Sequence, residues 1–477
     1  MLRSKRLLPF ALCLAALTSS VAAFGDVTLP KVLASHMVVQ RDLPVHVWGW
    51  AAAGEVVTVA FRGESKAATA DDLGRWSIYL APGKAGGPFE LTVKGTNSIT
   101  LDDVLVGDVW IAGGQSNMEF AMRQAATAAT DLPKAANDRI RLMIVDKVYS
   151  DYPKTDLTGR SWTASTPDSA RDFSAVAWYF AREIEAKEHV PVGVIDSTWG
   201  GTVAETWVSM TALGADASLA SVFASRGRQT ERESTALLED VEQKRQITEA
   251  KAQGKPAPQF PWHPLLNMWA PSMLWNGMIA RNPAVYYHLF PALIEDWRRQ
   301  WQIGDFPFLY VQIANFKSTP AEDWPTIRDA QLKTLELRNT GMAVTIDVGN
   351  PDDVHPTDKV TVGNRLALAA RSIAYGEKLE FSGPVFRQLT QENGAVRVWF
   401  DHAEGLEARN GALTGFEVAG ADNVWAPADA KIEGDTMVLT SATTPHPVAA
   451  RYGWSNSPEC HLYNNSGLPA SPFTSAR

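Results

Sequence analysis

The chain has 477 residues, of which 45% are hydrophobic and 20% charged, with a formal net charge of −9. This composition is typical of a folded globular protein with one large domain and smaller companions. The acidic balance argues against nucleic acid and anionic membranes as partners.

The N-terminus has the pattern of a signal peptide over residues 1–23. Three basic residues precede an apolar run at 7–17, and Val21-Ala22-Ala23 supplies the small residues of a cleavage site. Cleavage would remove three of the 44 basic residues and none of the 53 acidic ones, so the net charge would move from −9 to −12. We therefore expect a secreted or periplasmic protein without an integral membrane segment after cleavage. Its remaining cysteine, Cys460, excludes an intrachain disulfide and metal sites built on several thiolates.

Residues 24–101 have the pattern of a β-domain. Stretches rich in β-branched and aromatic residues, such as 56–61 and 76–80, are separated by Gly, Asp and Pro at hairpin-like intervals. A small sandwich is predicted. Residues 380–477 show the same character, with alternation at 396–400 and a turn at Asn393-Gly394, so we predict a second β-domain there.

Residues 102–379 alternate strand and helix patterns, which predicts a parallel sheet covered on both faces. A charged segment at about 211–262 interrupts the alternation and is expected to form a solvated helical insertion or lid. The predicted strands are 104–112, 141–145, 190–197, 306–313 and 342–348, and the predicted helices are 118–129, 173–189, 326–337 and 359–375.

Ser116 is the candidate nucleophile. It follows a predicted strand and two glycines, at the carboxyl end of the sheet where α/β folds bind ligands. Its backbone N–H would lie at a helix N-terminus and can stabilise an oxyanion. The alternative is that its hydroxyl only caps the helix, which is a common role of serine.

His355 is the candidate general base, in a loop after the predicted strand 342–348. A histidine that activates serine needs a carboxylate beside its second ring nitrogen. Asp352, three residues earlier, and Asp353, two residues earlier, are alternative orienting groups.

A pair of glycines, Gly200 and Gly201, follows shortly after the predicted strand 190–197. Paired glycines let a backbone approach a ligand closely and expose N–H donors. We expect the N–H of Gly201 to act as an oxyanion donor together with that of Ser116. The alternative is a tight turn that only requires positive φ.

Together these motifs resemble the sialate O-acetylesterase group of the SGNH hydrolase superfamily. The resemblance implies a flavodoxin-like three-layer α/β domain with flanking β-sandwich-like domains. It also implies hydrolysis of acetyl esters on sugars, typically O-acetylated sialic acids, with no cofactor or metal. The family's nucleophile falls on Ser116 and its histidine on His355, while its acid falls on Asp352 by the superfamily's spacing and on Asp353 by that of this group. The matching segments are 106–110, 114–118, 199–202, 275–279, 290–297, 339–345, 353–356 and 467–473.

One departure from the family pattern follows Ile279. Members usually carry a strand there whose terminal loop supplies an asparagine as oxyanion donor. This chain passes almost directly into the next helix, so one central strand is predicted to be missing, with Asn276 or Asn282 as a substitute donor. Two functions are therefore considered: an exported carbohydrate O-acetylesterase, and a catalytically impaired relative that only binds glycans.

Overall fold

The computed structural model of the chain describes residues 26–148, 154–258 and 283–476. The predicted signal peptide, the predicted gap after Ile279, Asn276 and Asn282 lie outside these residues. The strands of the N-terminal part are β1 (Val38–Gln40), β2 (Val45–Trp50), β3 (Val56–Phe61), β4 (Glu64–Thr69), β5 (Arg75–Leu80), β6 (Gly86–Lys94) and β7 (Ser98–Gly114).

The strands β2, β3 and β5 bury every second side chain, as their sequence pattern predicts. In β5, Trp76, Ile78 and Leu80 are buried while the residues between them are exposed. β5 pairs antiparallel with β2, whose Val47 lies in the same hydrophobic core. Alternation of this kind is typical of a sheet with one face on a core and one in solvent.

The 17-residue strand β7 runs from this β-rich part into the α/β part of the chain. Its first half pairs with β6 in the antiparallel direction and with β1 in parallel. Its second half, from Asp108 to Gly114, pairs in parallel with a later strand, β10 (Val192–Thr198). The predicted domain boundary at 101/102 thus falls inside one continuous strand.

The large sheet built on β7 is mixed, whereas the alternation of strand and helix predicted a parallel one. β10 also pairs in parallel with β8 (Asn137–Ile144), and β8 pairs antiparallel with the edge strand β9 (Thr163–Ser165). The order is β4-β3-β6-β7-β10-β8-β9. The parallel pairings are those of β10 with β8 and with the end of β7, and that of β1 with β7. The sheet is mixed because β7 also extends it into the antiparallel N-terminal strands.

Helices cover this sheet and line its carboxyl edge. α4 (Ala175–Glu188) begins after Ser174, whose side chain caps it, and packs against the last helix, α9 (Lys359–Ile373). Gly363 of α9 allows this close packing, because a Cβ there would lie 2.6 Å from Cβ of Tyr179. The helices are α1 (Ser116–Glu119), α2 (Ala128–Asp131), α3 (Pro167–Arg171), α4 (Ala175–Glu188), α5 (Met210–Ala215), α6 (Ala220–Ala252), α7 (Tyr286–Trp301), α8 (Trp324–Lys333) and α9 (Lys359–Ile373).

The predicted helix at 118–129 is wrong. The chain forms only the short α1, a 3₁₀ turn at Met122–Gln124 and then α2. Its backbone bonds instead to the segment before α4: the Met122 N–H donates to the Phe173 carbonyl, and the Ala175 N–H donates to the carbonyl of Phe120. These hydrogen bonds between two distant segments of the chain replace the bonds that would continue a helix.

Two further strands, β11 (Phe308–Val311) and β12 (Thr340–Ala343), pair in parallel as a separate small sheet. Within the described ranges, no strand joins this pair to β7. The predicted loss of a central strand stays a prediction, since residues 259–282 are not described. β12 is shorter than the predicted 342–348, because the Arg365 guanidinium binds the Val344 carbonyl and the chain leaves the ladder there.

The C-terminal part contains two four-stranded antiparallel sheets, as its β pattern predicts. Their order is β13-β14-β19-β18 and β17-β16-β20-β22, and Val398, Tyr452 and Phe473 lie in their shared core. β15 and β21 form a short separate pair. The strands are β13 (Val385–Glu392), β14 (Ala395–Asp401), β15 (Glu407–Ala408), β16 (Phe416–Ala419), β17 (Trp425–Pro427), β18 (Asp429–Glu433), β19 (Thr436–Thr440), β20 (Ala449–Tyr452), β21 (Leu462–Tyr463) and β22 (Phe473–Thr474).

The charged insertion predicted at 211–262 is helical through the 33-residue α6. Among the residues that the structure describes, no helix combines the length and the apolar character needed to cross a bilayer.

Candidate active site

Ser116 lies two residues beyond the end of β7, as the first residue of α1. The residue at the N-cap is Gln115, and no side chain caps this helix. The Ser116 hydroxyl therefore does not serve as a cap. Gly114 has a φ of 136°, a conformation open to glycine, and this lets the chain turn sharply from the strand into the helix.

The structure brings His355 to Ser116. Nε2 of His355 lies 2.8 Å from Oγ of Ser116, although the two residues are 239 positions apart in the sequence. His355 stands in the loop between β12 and α9, so the carboxyl edges of two separate sheets contribute to the contact. At this distance a neutral imidazole with its proton on Nδ1 accepts the hydroxyl proton.

Of the two candidate acids, Asp353 approaches His355 and Asp352 does not. Oδ1 of Asp353 lies 3.6 Å from Nδ1 of His355 and accepts the His355 backbone N–H at 2.8 Å. Asp352 instead pairs with Lys317 at 3.1 Å, with 79% of its side chain exposed. The 3.6 Å contact is an ion-pair distance rather than a hydrogen bond, so Asp353 guides the imidazole only loosely in this state.

The glycine turn after β10 packs directly on Ser116. A Cβ on Gly200 would lie 3.2 Å from Cβ of Ser116, so no other residue fits there without displacement. Gly201 has a φ of 81°. No acceptor is assigned to the backbone N–H of Ser116 or of Gly201 within the described residues. Among the described residues, nothing occupies these two N–H groups, which can therefore donate to an oxyanion.

A second bridge, which the sequence analysis missed, joins the Ser116 helix to the His355 loop. The side-chain amide of Asn117 donates to the Val354 carbonyl at 2.9 Å and accepts from Nζ of Lys359 at 2.6 Å. Lys359 is only 2% exposed, and its burial lowers its pKa to about 8. The adjacency of Asn117 to the nucleophile was the available signal, but its partner lies 242 residues away.

Glu119 is another polar group that sequence reasoning missed. Its carboxylate accepts the backbone N–H of Gly200 and pairs with Lys147. Beyond it lies a polar cavity of about 390 Å³ at the ends of β8 and β10. Asp196 lines this cavity at 5% exposure, and its burial raises its pKa.

The described residues contain no group of three or more His, Cys, Asp or Glu side chains placed to hold a metal ion. Cys460 is buried, which raises the pKa of its thiol to about 12. The groups that the structure brings together at the site are a serine hydroxyl, an imidazole, a nearby carboxylate and the backbone N–H groups of the glycine turn.

Comparison with known proteins adds relatives that extend over nearly the whole chain. Sialate O-acetylesterase of Mus musculus is 32% identical over 92% of this chain and 92% of its own length. The sialate O-acetylesterase of Homo sapiens is 30% identical over 92% of this chain and 90% of its own length. A crystal structure of a carbohydrate acetylesterase from Xanthomonas citri matches with a TM-score of 0.78 and 37% identity, over 94% of this chain and 100% of that one. No family model matches the sequence.

Proposed function

The chain belongs to the sialate O-acetylesterase family, and from this premise we propose that it is an exported serine esterase that removes O-acetyl groups from sugars, with O-acetylated sialic acids as substrates. The observation that carries the proposal is the 2.8 Å contact between Oγ of Ser116 and Nε2 of His355. Export is supported by the signal-peptide pattern of residues 1–23.

In the acylation step, Oγ of Ser116 attacks the acetyl carbonyl carbon while His355 Nε2 takes the hydroxyl proton. The oxygen of the tetrahedral intermediate is held by the N–H groups of Ser116 and Gly201. The intermediate collapses as the C–O bond to the sugar breaks, and His355 returns the proton to the leaving sugar hydroxyl. Asp353 stabilises the imidazolium that forms in between.

In the deacylation step, water attacks the acetyl-Ser116 ester and gives its proton to His355. The second tetrahedral intermediate uses the same two N–H donors. Its collapse releases acetate and returns the proton to Ser116. The cycle consumes one water and needs no cofactor.

The alternative function is glycan binding without catalysis. It is supported by the sequence after Ile279, which passes almost directly into the next helix where the family pattern carries a strand with a further oxyanion donor. Loss of one such donor costs about 10²–10³ in turnover in other hydrolases. The intact contact between Ser116 and His355 favours the esterase.

The test is acetate release from O-acetylated sialic acid and from acetylated xylan by the chain without residues 1–23. Ser116→Ala is the inactive variant. Ser98→Ala is the matched control, because Ser98 is the exposed first residue of β7 and Ser116 follows the other end of this strand. We expect release by wild type and Ser98→Ala and a loss of at least about 10³-fold in Ser116→Ala. Negligible release by wild type would support the binding protein, and release that survives Ser116→Ala would exclude this nucleophile.

A further inference from the structure

The Glu119 carboxylate connects three parts of the active site. Glu119 is the last residue of α1, the helix that Ser116 begins. One carboxylate oxygen accepts the backbone N–H of Gly200 and the other pairs with Nζ of Lys147. In the proposed reaction, Glu119 takes no part in acyl or proton transfer.

The contact with Gly200 belongs to a set of bonds that tie the glycine turn to the Ser116 segment. The Trp199 N–H donates to the Gly114 carbonyl at 2.9 Å, and the next N–H, of Gly200, donates to Glu119. Both acceptors lie in the short stretch 114–119 that contains Ser116. The turn is thus held at two consecutive residues by the segment that carries the nucleophile.

These bonds determine which N–H remains available for the reaction. The Gly200 N–H is occupied by Glu119, so the following donor along the turn is that of Gly201, which has no acceptor assigned within the described residues. The packing is tight, because a Cβ on Gly200 would lie 3.1 Å from Oε2 of Glu119 and 3.4 Å from Cα of Ser116.

We propose that Glu119 is a positioning residue of the oxyanion hole, whose carboxylate fixes the glycine turn so that the Gly201 N–H stands beside Ser116. This inference rests on the proposed esterase function. Preorganised donors stabilise a transition state because they need not reorient as charge develops. Lys147 pairs with the other carboxylate oxygen, so the contact with Gly200 is made by one oxygen alone.

The test compares Glu119→Ala with Glu119→Gln, because the glutamine amide oxygen can still accept the Gly200 N–H while the alanine cannot. Asp172→Ala is the matched control, because Asp172 lines the same cavity but forms its ion pair with Arg123 rather than with the glycine turn. We expect kcat of Glu119→Ala to fall about 10- to 100-fold with KM changed less than about threefold. Glu119→Gln and Asp172→Ala should remain within about threefold of wild type.

A second measurement does not depend on esterase activity. Hydrogen–deuterium exchange at residues 199–202 should be at least about tenfold faster in Glu119→Ala than in wild type, and unchanged in Asp172→Ala. Unchanged exchange in Glu119→Ala, or a kcat of Glu119→Gln as low as that of Glu119→Ala, would overturn the positioning role. A wild-type protein that releases no acetate would refute the proposed function instead, and the exchange rates would still decide whether Glu119 anchors the turn.

Discussion

Replacement of Asp353 by asparagine is expected to slow acetyl transfer about tenfold, while the same change at Asp352 has no effect. The carboxylate of Asp353 lies 3.6 Å from Nδ1 of His355. At that separation two unit charges attract by about 1 kcal/mol in bulk water and by about 5 kcal/mol at an effective dielectric constant of 20. The side chains are 56% and 38% exposed, for Asp353 and His355 respectively, so solvent screening places the interaction near the lower value.

A loss of about 1–2 kcal/mol of transition-state stabilisation corresponds to a fall of about 5- to 30-fold in kcat. This is much less than the roughly 10⁴-fold loss seen where a triad aspartate is buried and hydrogen-bonded to the histidine. Asp352 is the matched control, because it is one residue away, equally charged and paired with Lys317 rather than with the imidazole.

The assay is the initial rate of acetate release from O-acetylated sialic acid at saturating substrate, for Asp353→Asn, Asp352→Asn and wild type. Thermal unfolding of each variant shows whether the fold is retained. A larger fall in Asp352→Asn than in Asp353→Asn would refute the assignment of the orienting acid, and a 10⁴-fold fall in Asp353→Asn would refute the estimate based on solvent screening.

Three further outcomes are expected. Gly200→Ala should lower kcat at least about tenfold, because its methyl group would press on Ser116 and Glu119. Steady-state kinetics measures this change, and a kcat equal to that of wild type would contradict the close packing. Burial lowers the pKa of Lys359 to about 8, whereas a lysine in the unfolded chain has a pKa of about 10.4. The charged lysine therefore lowers the free energy of unfolding below about pH 8, and this destabilisation disappears as the pH rises towards 10.4. The free energy of unfolding of wild type relative to Lys359→Met should therefore rise by about 3 kcal/mol over that window in denaturant titrations, and a flat difference would exclude the lowered pKa. The buried thiol of Cys460, with its pKa raised to about 12, should react with a disulfide reagent only after unfolding, and rapid labelling of the native chain would contradict its burial.

Periodicity predicted most of the elements that deliver the site. The predicted strand 190–197 corresponds to β10 (Val192–Thr198), and the predicted helix 359–375 corresponds to α9 (Lys359–Ile373). Both are long or strongly apolar segments, in which the hydrophobic pattern is the main determinant of structure. The same reasoning failed at 118–129, where bonds to the segment before α4 outweigh local helix propensity.

The polar contacts of the site were only partly predictable. Asp353 lies near His355 in the sequence, and local spacing was enough to make it a candidate. The partners of Glu119 and Asn117 are 81 and 242 residues away in the sequence, and no local pattern reveals them. His402 also pairs with a carboxylate, that of Glu380 at 2.7 Å. A histidine beside an acid is therefore not by itself a sign of a catalytic site.

The continuity of β7 has a consequence for how this enzyme can be divided or recombined. Residues 38–40 pair with 105–107, and the same strand continues to Gly114 beside the nucleophile. Arg41 and Tyr375 both donate to Asp108 in this strand, which links the N-terminal β-rich part to the end of the α/β part through one carboxylate. The N-terminal β-rich part therefore cannot be removed as an independent domain, because β7, which leads to Ser116, would lose its pairing with β1 and β6. A different N-terminal domain fused in its place would have to restore that pairing.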